Sequence, residues 1–315
     1  MLTLLSNALL PVFAGLVVGY VAGLRKVVDN HNLRSLITFL MSFALPCSLF
    51  AAIARTPHAE LFAQRRVTIV LAIVYLLTYA ATYFSMRRSN RSSSSDSAVL
   101  ALTLAFPNAT AVGLPLLQSA YGSSAVVSCA TAIAIGAVTI SPITLAILEG
   151  ATSAGGSLTP SGRLASALWK AVKRPVVWAP LVGVVAVLLQ VHLATYVDRT
   201  LTIFGDATAG VALFLTGLIV SAQRFKLDLG VCLSVLAKNI GQPALCLVLA
   251  RLLSLPIEQT RYVVLISAIP CGFFGVVFGK NYNSTPQTAS SSLIASYIVG
   301  AFTLAGWIIF LSHLH

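Results

Sequence analysis

The sequence predicts an all-α membrane protein in which ten transmembrane helices form two inverted five-helix repeats, with helices 4 and 9 broken and crossing. Three observations lead to this class. Hydrophobic residues make up 57% of the 315 residues and charged residues 9%, whereas a soluble domain carries about 25% charged residues. The apolar residues lie in runs of about 20, the length of a transmembrane helix. Two of these runs, one in each half of the chain, contain a proline break.

Ten apolar segments can be placed along the chain, five on each side of its longest polar stretch. They cover residues 4–24, 33–53, 67–86, 97–120, 124–148, 175–194, 200–221, 230–254, 260–281 and 287–312. Because five is an odd number, the second group enters the membrane from the opposite side, so the repeats are inverted. The chain then divides into a first repeat at 1–150, a linker at 151–174 and a second repeat at 175–315.

The positions of the charges predict the orientation. The net charge of +12 comes from short basic clusters between apolar runs, as in loops that connect helices, and this excludes nucleic acid as a partner. Most Lys and Arg residues lie in the loops that are cytoplasmic if the N-terminus is outside. The positive-inside rule therefore predicts a multi-pass protein of the cell membrane with both termini outside. The basic part of the linker around Trp169 is either an amphipathic helix on the lipid surface or a loop.

The two proline breaks form the candidate substrate site. The first lies at Pro107-Asn108 and the second at Pro270-Cys271-Gly272. Proline removes a backbone donor inside a helix, and a break within a bilayer persists only against protein or a wet cavity. A break at corresponding places in two halves of a chain indicates substrate binding near the membrane midplane.

The chemistry around the breaks favours a small organic anion as the substrate. Helices that begin after Asn108 and Cys271 would direct free amide groups toward the midplane, where they attract anions. The helices that end there also expose carbonyl groups, so the dipoles alone do not decide the sign of the ligand. Cation carriers usually bury carboxylates on their pathway, and neither break has one nearby.

The candidate substrate-binding residues surround the breaks or bend a neighbouring segment. They are Pro107, Asn108, Thr110, Gly113, Pro270, Cys271, Gly272 and, in the second segment, Pro46. Asn108 is the main candidate, because it is the polar side chain at a break; a helix cap or an interhelical hydrogen bond is the alternative for it. For the glycines, the alternative is close helix packing.

Two ionisable residues are candidates for coupling or for attracting the substrate. Lys238 lies inside the eighth segment, either as a functional charge or as a side chain that extends to the inner face. Asp206, early in the seventh segment, is either a coupling group or a residue of the outer interface. Coupling to H+ or Na+ stays open, and the sequence predicts no other cofactor.

Signatures of enzymes and metal sites are missing from the sequence. HExxH, P-loop, GxGxxG and GxSxG patterns do not occur, so we expect no enzyme. The five cysteines are scattered through apolar segments without CxxC spacing, so we expect no metal site. Gly15, Gly19 and Gly23 form a stripe of small residues, which packs helices within a chain or joins two copies into a homodimer.

At the two breaks the chain resembles the auxin efflux carrier family, which comprises plant auxin exporters and bacterial organic-acid transporters. The similar residues are Pro107-Asn108 with Val112-Gly113-Leu114-Pro115-Leu116-Leu117, and Ala268-Ile269-Pro270-Cys271-Gly272 through Val277-Phe278-Gly279-Lys280-Asn281-Tyr282. Leu45-Pro46 and Ala179-Pro180-Leu181-Val182-Gly183 also fit. The resemblance extends over essentially the whole chain, and the two breaks together are specific.

The resemblance implies a scaffold domain of helices 1, 2, 6 and 7 and a transport domain of helices 3–5 and 8–10. It implies secondary active transport by an elevator-type shift, with the substrate carboxylate bound near Asn108. The central loop is short compared with the plant members, which favours mono- or dicarboxylates such as malonate or malate over auxin. Two alternatives stay open: a sodium- or proton-coupled symporter of the bile-acid type and, from another class, a non-transporting membrane sensor.

Overall fold

The computed structural model describes residues 2–30, 32–55, 64–88, 92–152, 169, 173–191, 193–222 and 225–314. Within these ranges the regular elements are helices, and the exception is an isolated antiparallel bridge between Pro107 and Cys271. Most of the linker, and with it the amphipathic helix proposed around Trp169, lies outside the described residues.

The helices follow the predicted segments. In the first half they are α1 (Leu2–Leu24), α2 (Arg34–Phe39), α3 (Leu45–Ala54), α4 (Arg65–Arg88), α5 (Ser94–Ala105), α6 (Leu114–Tyr121), α7 (Ser123–Val138) and α8 (Ile140–Thr152). In the second half they are α9 (Pro175–Leu188), α10 (Thr195–Ser221), α11 (Leu229–Leu236), α12 (Gln242–Leu252), α13 (Ile257–Ala268), α14 (Phe274–Asn281) and α15 (Gln287–Ser312). Each of the two segments with a predicted proline break consists of two short helices, α5 with α6 and α13 with α14.

Among the described residues, six helical stretches are long and apolar enough to cross a membrane. They are Arg34–Ala51, Arg65–Arg88, Ser124–Ala151, Thr195–Ser221, Leu229–Leu252 and Gln287–Ser312. Shorter apolar helices lie at Phe13–Leu24, Ser94–Ala105 and Pro175–Leu188. The prediction of an all-α membrane protein is therefore confirmed, whereas ten spans in inverted repeats stay a prediction.

Three π-helical turns connect helices, and each ends two residues before a proline. The turns are Leu40–Ala44 before Pro46, Ala109–Gly113 before Pro115 and Ala237–Gly241 before Pro243. Proline cannot donate to the carbonyl four residues earlier and crowds it, and a wider turn is a common way to accommodate that defect. At the third turn, the carbonyl of Asn239 accepts a hydrogen bond from the indole Nε1 of Trp307 at 3.0 Å.

Helix α1 packs mainly on α10, through the stripe of small residues. A Cβ atom added to Gly19 would lie 2.0 Å from the carbonyl oxygen of Phe214, and one added to Gly217 would lie 2.2 Å from that of Leu16. Only glycine allows the two backbones to approach so closely. The stripe therefore packs helices within this chain. Helices α3 and α9 complete this group, because α3 packs on both α9 and α10.

Helix α5 is the centre of the second group of helices. Its residues from Ser97 to Ala105 are all buried, and it packs on α4, α8 and α14. Gly275 of α14 lies directly on it, since a Cβ at this position would be 2.4 Å from the carbonyl oxygen of Val99. Helices α12 with α13 and α11 with α15 also pack in pairs. Both broken segments therefore belong to this group.

Candidate functional site

The two breaks meet backbone to backbone. The amide of Asn108 donates to the carbonyl oxygen of Pro270 at 3.1 Å, and the amide of Gly272 donates to that of Thr103 at 3.2 Å. A Cβ on Gly272 would lie 2.2 Å from the carbonyl oxygen of Phe106, so this position requires glycine. The bridge pairs polar backbone groups that the proline breaks leave without a partner inside their own helices.

Asn108 connects the first break to the last helix. Its side chain is fully buried, and its Nδ2 donates to the hydroxyl oxygen of Tyr297 at 2.5 Å. Its own carbonyl oxygen accepts from the amides of Val112 and Gly113 and so begins the π-helical turn. The interhelical hydrogen bond considered from the sequence is therefore present, and it fixes the side chain at the crossing.

A second polar cluster holds the other break. The amide of Cys271 donates to Ser296 Oγ at 3.0 Å, and that hydroxyl donates to Asn239 Oδ1 at 2.7 Å. Asn239 Nδ2 in turn donates to the carbonyl oxygen of Ser296 at 2.9 Å. The break at Cys271 is thus tied to α15 and to the π-helical turn between α11 and α12. The Cys271 side chain is fully buried.

Lys238 and Gln242 bind the carbonyl groups at the ends of the two first half-helices. Lys238 Nζ donates to the carbonyl oxygen of Ser267 at 2.8 Å and to Gln242 Oε1. Gln242 Nε2 donates to the carbonyl oxygen of Ala105 at 2.8 Å. Ala105 ends α5, and Ser267 is the residue before the end of α13. Lys238 is fully buried and does not extend to the inner face.

The groups at the ends of the half-helices affect which sign of charge a ligand at the crossing can carry. The carbonyl ends of the half-helices carry partial negative charge, and here an amide and an ammonium group occupy them. At the start of the next half-helix, by contrast, the amide of Thr110 has no hydrogen-bond acceptor among the described residues, and Thr110 is half-buried. An amide without an acceptor, next to half-helix ends whose carbonyl groups are already occupied, forms an environment that suits an anion.

The two half-helix starts are not equivalent. Phe274 begins α14 with its ring stacked on that of Phe106, at 4.6 Å between centroids, and Gly275 lies against α5. This start is therefore covered by protein. The start near Thr110 is the more open of the two, which agrees with the sequence argument that Asn108 marks the polar break.

The structure brings together only part of the predicted set. Pro107, Asn108, Pro270, Cys271 and Gly272 form the crossing, with Thr110 next to it and Lys238 behind it. Gly113 has a packing role, because a Cβ there would lie 2.9 Å from both Cys129 Sγ and Ile269 Cδ1. Pro46 is buried in α3, which packs mainly on α9 and α10. Asp206 is exposed on α10.

Tyr297, Ser296 and Gln242 are functional candidates that the sequence reasoning did not select. The available signal was the polar pair Ser296-Tyr297 within an apolar run, since polar side chains inside membrane helices usually serve binding or packing. Tyr297 also forms part of the wall of an apolar cavity of about 320 Å³ between α1, α10 and α15. There the ring of Phe13 meets its ring edge-on at 5.9 Å.

Comparison with known proteins shows the family of the chain. The family model described as membrane transport protein matches residues 4–308. The chain is 29% identical to the uncharacterized transporter YfdV of Escherichia coli K12 over 98% of both chains. It is 20% identical to auxin efflux carrier component 8 of Arabidopsis thaliana over 93% of both. It is 23% identical to a protein of Rhizobium meliloti named as a putative malonate transporter, over 96% of this chain and 94% of that one. The chain therefore belongs to the membrane transport protein family that includes the auxin efflux carriers.

Proposed function

We propose that this membrane transporter is a secondary active carrier of a small mono- or dicarboxylate such as malonate or malate, bound where the two broken segments cross. One observation carries the choice of an anion. Lys238 and Gln242 occupy the carbonyl ends of the half-helices, while the amide of Thr110 has no acceptor in the part of the chain that the structure describes. The putative malonate transporter of Rhizobium meliloti, related over most of its length, is consistent with this substrate class.

We further propose ten spans in two inverted repeats, with both termini outside the cell membrane. The scaffold domain would contain α1, α2, α3, α9 and α10, and the transport domain the remaining helices. The packing supports this division, because α1 and α3 both pack on α10 and α3 also packs on α9, while α5 packs on α4, α8 and α14. An elevator-type shift would then move the crossing, with its bound carboxylate, past the scaffold.

Flux into proteoliposomes tests the proposal. Labelled malonate, malate and an indole acid are offered to reconstituted protein, with a pH gradient, with a Na+ gradient and with neither. We expect saturable malonate or malate uptake and at least a tenfold loss in N108A. A gradient that accelerates uptake would identify the coupling ion.

A matched control is available at Asn30. Its Nδ2 donates to Ser221 Oγ at 2.9 Å, so N30A also removes an asparagine side chain that hydrogen-bonds to a helix, but away from the crossing. We expect N30A to keep the flux. If none of the acids moves, or if N108A transports as well as N30A, the proposed substrate site is wrong.

A further inference from the structure

A second charged site lies at the far end of α14. A cavity of about 390 Å³ is formed by the start of α2 with the loop before it, the start of α9, and the end of α14 with the residues that follow it. Its polar lining residues are Asn32, Arg34, Arg174, Lys280, Asn281, Tyr282 and Asn283. Helix α14 has eight residues, which is about 12 Å at 1.5 Å per residue. The cavity is therefore separate from the crossing.

Arg174 is held in place on one wall of the cavity. Its Nε and Nη2 donate to Glu149 Oε1 at 3.1 and 2.6 Å, and its guanidinium lies 5.6 Å from the ring centre of Tyr282. The hydroxyl of Tyr282 donates to the same carboxylate oxygen at 2.5 Å. Burial and this hydrogen bond raise the pKa of Tyr282, so the hydroxyl stays protonated and keeps its role as a donor.

The other two basic groups have no such partner. Across the described ranges, no carboxylate lies within ion-pair distance of Arg34 or Lys280. Asp96, on neighbouring α5, accepts a hydrogen bond from Ser284 at 2.8 Å. Among the described residues, Arg174 at the cavity is therefore paired with a carboxylate, whereas Arg34 and Lys280 are not.

The end of α14 directs Lys280 and Asn283 to the same cavity. The amide of Ser284 donates to the carbonyl oxygen of Gly279 at 2.8 Å, and Asn283 has a left-handed backbone with φ of 55°. Asparagine tolerates this conformation better than most residues, so the chain turns sharply while keeping an amide side chain at the cavity. Amide and guanidinium donors in one concave site are the groups that bind phosphate and carboxylate oxygens.

We propose that this cavity binds a multiply charged oxyanion, with Arg34 and Lys280 as its main ligands and Arg174, Asn32 and Asn283 around them. A phosphate group fits this chemistry, and it could belong to a lipid headgroup or to a soluble anion. The site does not depend on the proposed substrate, because none of its residues belongs to the crossing.

Binding to purified full-length protein tests the site. Inorganic phosphate is titrated by calorimetry in detergent, and anionic phosphatidylglycerol is supplied in nanodiscs and followed by native mass spectrometry. The test variant is R34Q/K280Q. Neither side chain has a hydrogen bond or an ion pair in the described part of the chain, so the variant should fold. The control is K226Q/R251Q, which removes the same net charge from two exposed positions.

We expect at least one of the two probes to bind the wild type and the control alike, and to bind R34Q/K280Q at least tenfold more weakly. Loss of phosphate binding would identify a soluble ligand, and loss of phosphatidylglycerol binding alone would identify a lipid headgroup. N108A should bind the probe as the wild type does, which separates this site from the crossing. If no probe binds, or if the test and control variants lose binding equally, the cavity is not an oxyanion site.

Discussion

Lys238 Nζ donates a hydrogen bond of 2.8 Å to the carbonyl oxygen of Ser267, one residue before α13 ends. A helix carries about half a negative charge at its C-terminus, and this ammonium group lies directly against it. No carboxylate among the described residues forms an ion pair with Lys238. We therefore expect a charge on Lys238 to act on the helix end and on an anion at the crossing.

Replacing Lys238 by methionine should weaken anion binding without unfolding the protein. Methionine fills a similar volume, and removing a buried cation relieves the cost of its desolvation. The lost attraction between the ammonium group and a bound anion should be worth roughly 1–2 kcal/mol, which corresponds to a 5- to 30-fold weaker malonate affinity. Calorimetric titration of K238M in detergent measures this loss. K226M, which changes an exposed lysine, is the control, and equal affinities for the two variants would contradict the role of Lys238.

Replacing Tyr297 by phenylalanine should loosen Asn108. The variant loses the acceptor of the 2.5 Å hydrogen bond from Asn108 Nδ2 but keeps the ring that packs against Phe13. A hydrogen bond of this kind contributes about 1 kcal/mol, so we expect roughly a fivefold rise in KM for uptake. Y262F, which loses a contact of 3.1 Å with Ser124, is the matched control. An unchanged KM in Y297F would show that Asn108 does not need this partner.

The proline breaks could be predicted from the sequence because their cause is local. Pro107 and Pro270 interrupt a helix wherever they occur in it, and the structure has its interruptions at these residues. The partners of the breaks could not be predicted, because they come from distant parts of the chain: Tyr297 lies 189 residues from Asn108. Lys238 was selected as an intramembrane charge, but its acceptor at Ser267 depends on how α12 and α13 pack.

The same reasoning explains the candidates that the structure leaves outside the crossing. Pro46 also lies within an apolar segment. The π-helical turn before it accommodates the hydrogen bond that proline cannot donate, so the helix continues through Pro46. Asp206 has apolar neighbours in the sequence, but it lies on the exposed side of α10 and therefore faces away from the other helices. Hydropathy cannot distinguish which side of a membrane helix faces the protein.

Substituting Gly272 by alanine should destabilise the crossing. The added Cβ would lie 2.2 Å from the carbonyl oxygen of Phe106, which is backbone and cannot move aside cheaply. Overpacking of this kind costs about 1–3 kcal/mol, so we expect a lower thermal unfolding midpoint in detergent. G306A is the control, because a Cβ at Gly306 meets no atom within 4 Å. If both variants unfold at the same temperature, the backbones at the crossing are not as close as the structure has them.

The ion pair of Arg174 with Glu149 should contribute more to stability than that of Arg55 with Asp198. The carboxylate side chain of Glu149 is 7% exposed, whereas that of Asp198 is 41% exposed. R174Q removes the two hydrogen bonds that Arg174 donates to this buried carboxylate, at a cost of about 1–3 kcal/mol. R55Q breaks an exposed pair worth up to about 1 kcal/mol.

Thermal unfolding in detergent at low and high salt measures the difference, because salt screens exposed pairs more than buried ones. We expect R174Q to lower the midpoint at both salt concentrations and R55Q to lower it slightly and only at low salt. Equal shifts would contradict the structural role of Glu149.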